Sequence, residues 1–276
     1  MENDVENAME LVLAEGWNQT TQDWYFMIEN SENRCYAVDV DGKLVATGVT
    51  VIYSGKLAWI GMVLVNQHFR RRGIGNKLFE QLVREVRCMN TIKLDATPTG
   101  KKVYEKFGFR EEFQILRMIR KPGQFETKVN IKADFKEIHK NDLTLISKCD
   151  ENTFGVNRKD LIQYLLNDKV VKGWHCARGN HVSDFVLGRN GNKFVHIGPV
   201  VATSSGNAAA LISKTINELK DEMIVLDVLE DKKELIAWLR SAGFEKRRLF
   251  TRMYSGEKLP VENPDDQYLI CGPEFG

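Results

Sequence analysis

A chain of 276 residues is long enough for two domains of ordinary size, each with its own core. Lysine and arginine total 39 against 38 aspartates and glutamates, a net charge of +1, which argues against the chain-wide basic field of a nucleic-acid binder. Cys35, Cys88, Cys149, Cys176 and Cys271 are odd in number and scattered without a CxxC pair, so they read as free thiols in a reducing compartment rather than a zinc site or disulfide framework.

The opening MENDVENAMELVLAEGW is acidic and amphipathic, unlike a secretion or organelle-targeting signal, and no apolar run approaches the roughly 20 residues of a membrane span. A cytoplasmic protein without membrane or nucleic-acid partners is expected. AMELVLAEGWNQTTQDWYFMIENS reads as a helix, an EGWN turn and a second helix from about Asp23. Three strands follow as a meander: RCYAVDV, a turn at Asp41-Gly42, KLVATGVTVIY, and KLAWIGMVLV over 56–65.

Next comes RRRGIGNKL at 70–78, which could be a basic patch or a glycine loop with a basic flank. Downstream, Ile74, Leu78, Leu82, Val86 and Met89 fall on one face of a helix. The arrangement is therefore strand, short glycine turn, helix. A helix start preceded by glycine leaves unpaired N–H groups that a phosphate can approach closely. Neither a Walker loop nor a GxGxxG fingerprint is present, so the turn reads as a pyrophosphate cradle of another kind. IKLDA at 92–96 is a strand, TGKKVYEKF a short helix closed by Gly108, and FREEFQILRMI a further strand.

Arg70-Arg71-Arg72-Gly73-Ile74-Gly75 followed by VYEKFGF at 103–109 closely resembles the GNAT (Gcn5-related) N-acetyltransferases, in which [R/Q]xxGxG/A opens a helix and a tyrosine precedes a GF turn. The resemblance implies acetyl-CoA as co-substrate, a primary amine as acceptor (a small molecule or a peptide), and direct attack in a ternary complex without a Cys, Ser or His nucleophile. It places coenzyme A on Arg70, Arg71, Arg72, Gly73, Ile74, Gly75, Asn76 and Lys77, with the pantetheine along Leu64 and Val65, where the strand splays from its neighbour. Tyr104 falls at the position of the acid that protonates the leaving thiolate, a role its ordinary pKa of about 10 suits. The strand before the loop carries no carboxylate, which leaves Asp95 and Asp23 as the available bases. EGWN followed by Asp23 resembles a tandem-GNAT family, so Trp17, Asn18 and Asp23 are acceptor-side candidates, Asp23 suiting a cationic amine. The five histidines form no ligand spacing, and no metal is expected.

The second half repeats the first in altered form. With GF aligned on GF, Arg117-Met118 matches Arg252-Met253, IKLDA matches IVLDV at 224–228, and KFVHIGPVV with SGNAAALISKTINELK matches the strand and helix of the cradle. Its own version of the loop, VATSSGNAAAL, lacks arginine and paired glycines, keeping only Gly206, and Leu239 stands where the first half has Tyr104. KPGQFETKVN at 121–130 reads as the junction. CDENTFGVNRKDLIQYLLND resembles the start of that tandem family's second domain, making Phe154, Gly155 and Arg158 family-matching positions for domain packing or an acceptor wall. LPVENPDDQYLICGPEFG reads by composition as a linker that docks along the domain interface.

The expectation is an α/β (α+β) protein of two tandem GNAT-like domains, 1–122 and 129–276, each a mixed, mainly antiparallel twisted sheet flanked by helices. The first would be the N-acyltransferase and the second silent, in a monomer or homodimer. The alternative is a non-catalytic acyl-CoA-binding sensor or interaction module.

Overall fold

The computed structural model describes residues 4–123, 134–179 and 181–276. The junction expected at 121–130 therefore lies, beyond Gly123, outside the described residues. Helices α1 (Val5–Ala14) and α2 (Thr21–Glu29) precede the meander β1 (Arg34–Val40), β2 (Lys43–Tyr53) and β3 (Leu57–Val65). Then come α3 (Ile74–Glu85), β4 (Thr91–Ala96), α4 (Pro98–Tyr104) and β5 (Arg110–Arg120). The second half runs β6 (Lys136–Glu137), α5 (Leu143–Phe154), α6 (Lys159–Leu166), β7 (Trp174–Arg178), β8 (His181–Arg189), β9 (Val195–Val201), α7 (Ser205–Glu218), β10 (Ile224–Leu229), α8 (Lys233–Ser241), β11 (Glu245–Gly256) and β12 (Gln267–Leu269).

Each half supplies the mixed, mainly antiparallel strands expected of it, and the two sets join in one continuous sheet in the order β1-β2-β3-β4-β11-β5-β10-β12-β9-β8-β7-β6. The cause is an exchange. β11 leaves its own half to pair antiparallel with β4, and β5 leaves the first half to pair antiparallel with β10, while the two exchanged strands pair with each other. Helices cover both faces. On one, α1, α2, α5 and α6 share a core with Trp24, Trp59, Leu64, Ile146, Leu161 and Phe275; on the other, Phe79 and Leu82 of α3 pack against Ile60 and Leu94 while Leu211 and Leu235 close the second half.

The matching arginines and aspartates of the two halves pair across the exchange rather than within each half. Arg117 donates to both oxygens of Asp227 at 2.8 and 2.7 Å, and Arg252 to both oxygens of Asp95 at 2.9 and 2.9 Å. Each pair sits directly opposite in register, with both aspartates and Arg252 fully buried. A slip of one residue would turn these charges to the other face and leave them unpaired.

Each half also contains a parallel strand pair that parts. β3 pairs with β4 only from Leu57–Thr91 to Trp59–Lys93, so a V-shaped gap opens at Ile60, earlier than the Leu64–Val65 position expected. β9 pairs with β10 from Val195–Ile224 to Ile197–Leu226 and then parts likewise. There, β12 fills the gap: Leu269 pairs with both Val200 and Val228, and Ile270 donates its N–H to Asp227 O at 3.1 Å. One gap is open and the other is closed by the chain's own tail.

Removing one member of a crossed pair should leave a buried charge. Arg252→Gln is expected to lower unfolding stability by about 3–5 kcal/mol in urea titrations, and a loss under about 1 kcal/mol would show that the pair does not hold the exchanged strands.

Candidate active site

The glycine loop answers the question its sequence raised. Gly73 adopts φ +80°, the left-handed region that a Cβ strains, and serves as N-cap of α3 without any side chain to accept the first N–H groups of the helix. The donors of Ile74, Gly75 and Asn76 thus point outward at the positive end of the helix dipole. Gly75 is close-packed for another reason, since a Cβ there would stand 3.3 Å from Val65 Cγ2. The three arginines do different work. Arg70 donates Nε to Val65 O at 3.0 Å and pairs with Glu15, tying the loop to β3 and the end of α1. Arg72 lies over the Phe69 ring at 5.0 Å, and Arg71, at φ +63°, is exposed beside Gly73, as are Asn76 and Lys77.

Where β3 and β4 part lies a cavity of about 110 Å³. Ile60 to Val63 form one wall, with Met62 held at φ +53° in a bulge of β3 whose carbonyl accepts from Thr47 Oγ1 at 3.0 Å. Leu64 and Val65 continue the edge of β3 that β4 has left, pairing only with β2, but they do not line the cavity itself. Tyr104 does line it. Its ring packs on Phe79 with centroids 4.5 Å apart and planes tilted by 34°, and its hydroxyl makes no hydrogen bond to a described residue. Burial pushes its pKa up to about 12, so it holds its proton throughout the physiological range and can only donate it.

Asp95 also lines the cavity, yet its position argues against the role of base. Burial raises its carboxyl, against the pull of Arg252, but both oxygens are occupied by that guanidinium. Asp23 is farther from expectation. It is fully buried and absent from the cavity wall: Oδ2 accepts from Thr20 N at 2.7 Å in the capping box that starts α2, and Oδ1 accepts from Arg189 Nε at 2.8 Å and Tyr164 Oη at 2.9 Å. A charge so committed cannot also face an incoming amine. Trp17 does line the cavity. Asn18 lines it too, while its side chain pins the second half, donating to Phe194 O at 3.0 Å and accepting from Lys193 N and Phe194 N at 3.0 and 2.9 Å.

Residues that sequence reasoning missed complete the wall: Gln19, Arg117, Arg248, Phe250, Pro273 and Glu274. The last two belong to the tail, which after β12 turns back beneath the sheet. Trp59 Nε1 donates to Pro273 O at 3.0 Å and Tyr53 Oη to Phe275 O at 2.9 Å. Glu274 accepts from Gln19 Nε2 at 2.8 Å and from Arg189, and its backbone lies so close that a Cβ on Gly61 would meet it at 3.1 Å. Burial raises the Glu274 carboxyl, against Arg189. Arg189 Nη1 faces His196 Nδ1 at 3.3 Å, and His196 Nε2 faces Asp227 at 3.4 Å; burial lowers this imidazole to about 3, which keeps it neutral. The FGxxR segment explains itself here. Arg158, bidentate to Asp150 at 2.9 and 2.7 Å and over the Phe154 ring at 3.5 Å, donates to Gly276 O at 2.7 Å, while Gly155, at φ +97°, lies against Pro260 O. It grips the tail and does not reach the cavity.

The matching region of the second half is built differently. Ser204 caps α7 by accepting from Asn207 N at 3.1 Å, and Asp184 sits beside that terminus, accepting from Thr203 N at 2.8 Å and Asn207 Nδ2 at 3.0 Å. A capped helix start facing a carboxylate repels a phosphate. Leu239, at the Tyr104 position, is fully buried in the core. Among the described residues no group of metal-ligating side chains occurs, and no helix is long and apolar enough to cross a membrane.

The strand-helix plan with a parting parallel pair is present twice, and the first half adds an open gap, an uncapped glycine-led helix and a tyrosine. Residues 5–115 and 146–269 each match an acetyltransferase (GNAT) domain family, and the chain belongs to the GNAT acetyltransferases as a tandem protein. It is 23% identical to the uncharacterized N-acetyltransferase YitH of Bacillus subtilis over 225 residues, covering 82% of this chain and 79% of that one. Its fold is similar to that of a putative acetyltransferase from Pyrococcus horikoshii, with a TM-score of 0.83 and 22% identity across 100% of this chain and 94% of the other. A tandem GNAT protein from the clavulanic acid biosynthesis pathway aligns with a TM-score of 0.63 and 13% identity over 93% and 96% of the two chains.

Because Asp23 neutralises a buried arginine, Asp23→Asn should cost about 3 kcal/mol of stability and leave the acceptor KM unchanged in whatever fraction folds. A selective rise in acceptor KM with full stability would return Asp23 to the acceptor side.

Proposed function

We propose that the first half is an acyl-CoA-dependent N-acetyltransferase that transfers acetyl from acetyl-CoA to a primary amine by direct attack. The single observation that supports this most is the contrast between the two V-shaped gaps: one is open and lined by Tyr104 in the half whose helix α3 starts uncapped at Gly73, the other is filled by β12 in the half whose helix α7 is capped by Ser204 beside Asp184. The residues present fit coenzyme A. The N–H groups of Gly73, Ile74, Gly75 and Asn76 suit its pyrophosphate, Arg71 and Lys77 are free to add charge, and the edge of β3 from Ile60 to Val65 suits the pantetheine chain.

Acetyl-CoA supplies a thioester carbonyl and a thiolate leaving group. In this reading the amine's lone pair forms the new C–N bond as the C–S bond breaks. Unpaired N–H groups on the edge of β3, around the Met62 bulge, would receive the developing oxyanion. Tyr104 Oη donates its proton to the departing sulfur. Because Asp95 is occupied by Arg252, the amine's proton passes to solvent at the cavity mouth rather than to a dedicated carboxylate.

Tyr104→Phe keeps the ring against Phe79 and removes only the proton, so kcat should fall by about 10²-fold with the KM for acetyl-CoA unchanged; full activity would reduce Tyr104 to packing. In the unaltered protein, loss of the Tyr104 proton should not depress kcat as pH passes 10, the ordinary tyrosine value, since its folded pKa is raised to about 12. Calorimetry should find one coenzyme A per chain, abolished by Gly73→Val or Gly75→Val and little changed by Gly206→Val. Two sites, or a site that survives both changes in the first loop, would contradict the assignment. Coenzyme A binding at that stoichiometry without turnover of any amine would favour the sensor reading.

A further inference from the structure

The charges around the cavity are matched with one exception. Arg252 answers Asp95, Arg117 answers Asp227, and Arg189 answers both Glu274 and Asp23. Arg248 has no ion-pair or hydrogen-bond partner among the described residues, although it lines the same cavity. Its place is fixed by strand register. Arg248 on β11 stands directly opposite Arg117 on β5, so the two guanidiniums share one face of the sheet, and both reach the Phe250 ring, at 5.9 and 5.0 Å.

Like charges directly opposite across a sheet destabilise it. Arg248 is an exposed residue; partial desolvation, then Arg117, then Arg247 lower its pKa, with Asp227 and Glu15 opposing them. An anion entering the cavity would face one guanidinium with its donors unused and a second close beside it. It would meet them on the sheet face where Arg252, four residues on along β11, lies over Trp59 of the core that α1 and α2 share, opposite the face where α3 packs and Tyr104 stands. Trp17, Phe250 and Pro273 supply apolar wall between.

We infer that the acceptor is an aminocarboxylate of the amino-acid class, its carboxylate received by Arg248 beside Arg117 and its amine directed through the V toward Tyr104. The inference rests on reading the cavity as the acyl-transfer site and names the class of amine it takes. Polyamines and other polycations, by contrast, would bring positive charge to a wall that already carries an unneutralised arginine.

The test offers acetyl-CoA with free amino acids, their carboxamides, and amines lacking the carboxylate, following thiol release; in parallel, each is titrated calorimetrically into the protein saturated with coenzyme A. Free amino acids should exceed their amides by about 10- to 100-fold in kcat/KM. Arg248→Gln should erase that preference by raising the acceptor KM while leaving the KM for acetyl-CoA unchanged, and Arg248→Glu should shift it toward diamines. Amides or simple amines used as well as amino acids would overturn the inference. So would an Arg248→Gln protein with its preference intact, or one whose altered constant is that for acetyl-CoA. If no amine turns over but amino acids bind in an Arg248-dependent way, the acyltransferase reading fails and the carboxylate subsite stands. If no amino acid binds at all, the subsite fails.

Discussion

Two crossed ion pairs set the terms for the rest of this structure. Arg117 with Asp227 and Arg252 with Asp95 join each half's final strand to the other half's sheet, each pair directly opposite in register. Buried pairs of this kind need not add net stability over apolar residues of similar volume. What they impose is an alignment, since any other register buries the same charges unmatched. Once β5 and β11 are fixed side by side, Phe250 and Arg248 are carried to the edge of the first half's open gap, and residues from both halves line one cavity.

The tail turns this near-symmetric arrangement into an unequal one. Both halves part a parallel strand pair, and in most of their length they follow the same plan. β12 enters the second gap and supplies the backbone hydrogen bonds its edges lack. The residues that follow then run to the first gap, where Pro273 and Glu274 become wall, held by Trp59 and Tyr53 of the first half and by Arg158 and Arg189 of the second. A single segment therefore closes one site and shapes the other. The Phe154–Arg158 clamp and the buried Arg189 network belong to that one task.

Much of this was legible in the sequence, for local reasons. The glycine pair, the helix face of Leu78, Leu82 and Val86, the tyrosine before a GF turn and the repeat of LDA/LDV with RM all depend on spacing within a short window. Self-similarity at matched intervals disclosed the tandem architecture and even the arginine and aspartate that mattered. It did not disclose the crossing, because an Arg and an Asp repeated in both halves are equally compatible with pairing inside each. The tail's part in the cavity wall was hidden for the same reason: Glu274 meets Gln19, and Pro273 meets Trp59, across more than two hundred residues of sequence. Asp23 misled because a capping-box aspartate and a substrate-facing one look alike in sequence; only its partners, Thr20, Tyr164 and Arg189, separate them. The strands part at Ile60 rather than at Leu64–Val65, just before a bulge at Met62 that no residue type announces.

If one gap of the two receives coenzyme A, as proposed, a structure of the protein determined with the coenzyme bound will show which. The pyrophosphate should lie within hydrogen-bond distance of the N–H groups of Gly73 to Asn76, the pantetheine should run along Ile60 to Val65 and reach Tyr104, and β12 should remain paired with β9 and β10. A coenzyme lodged between β9 and β10, with β12 displaced from its place, would contradict it.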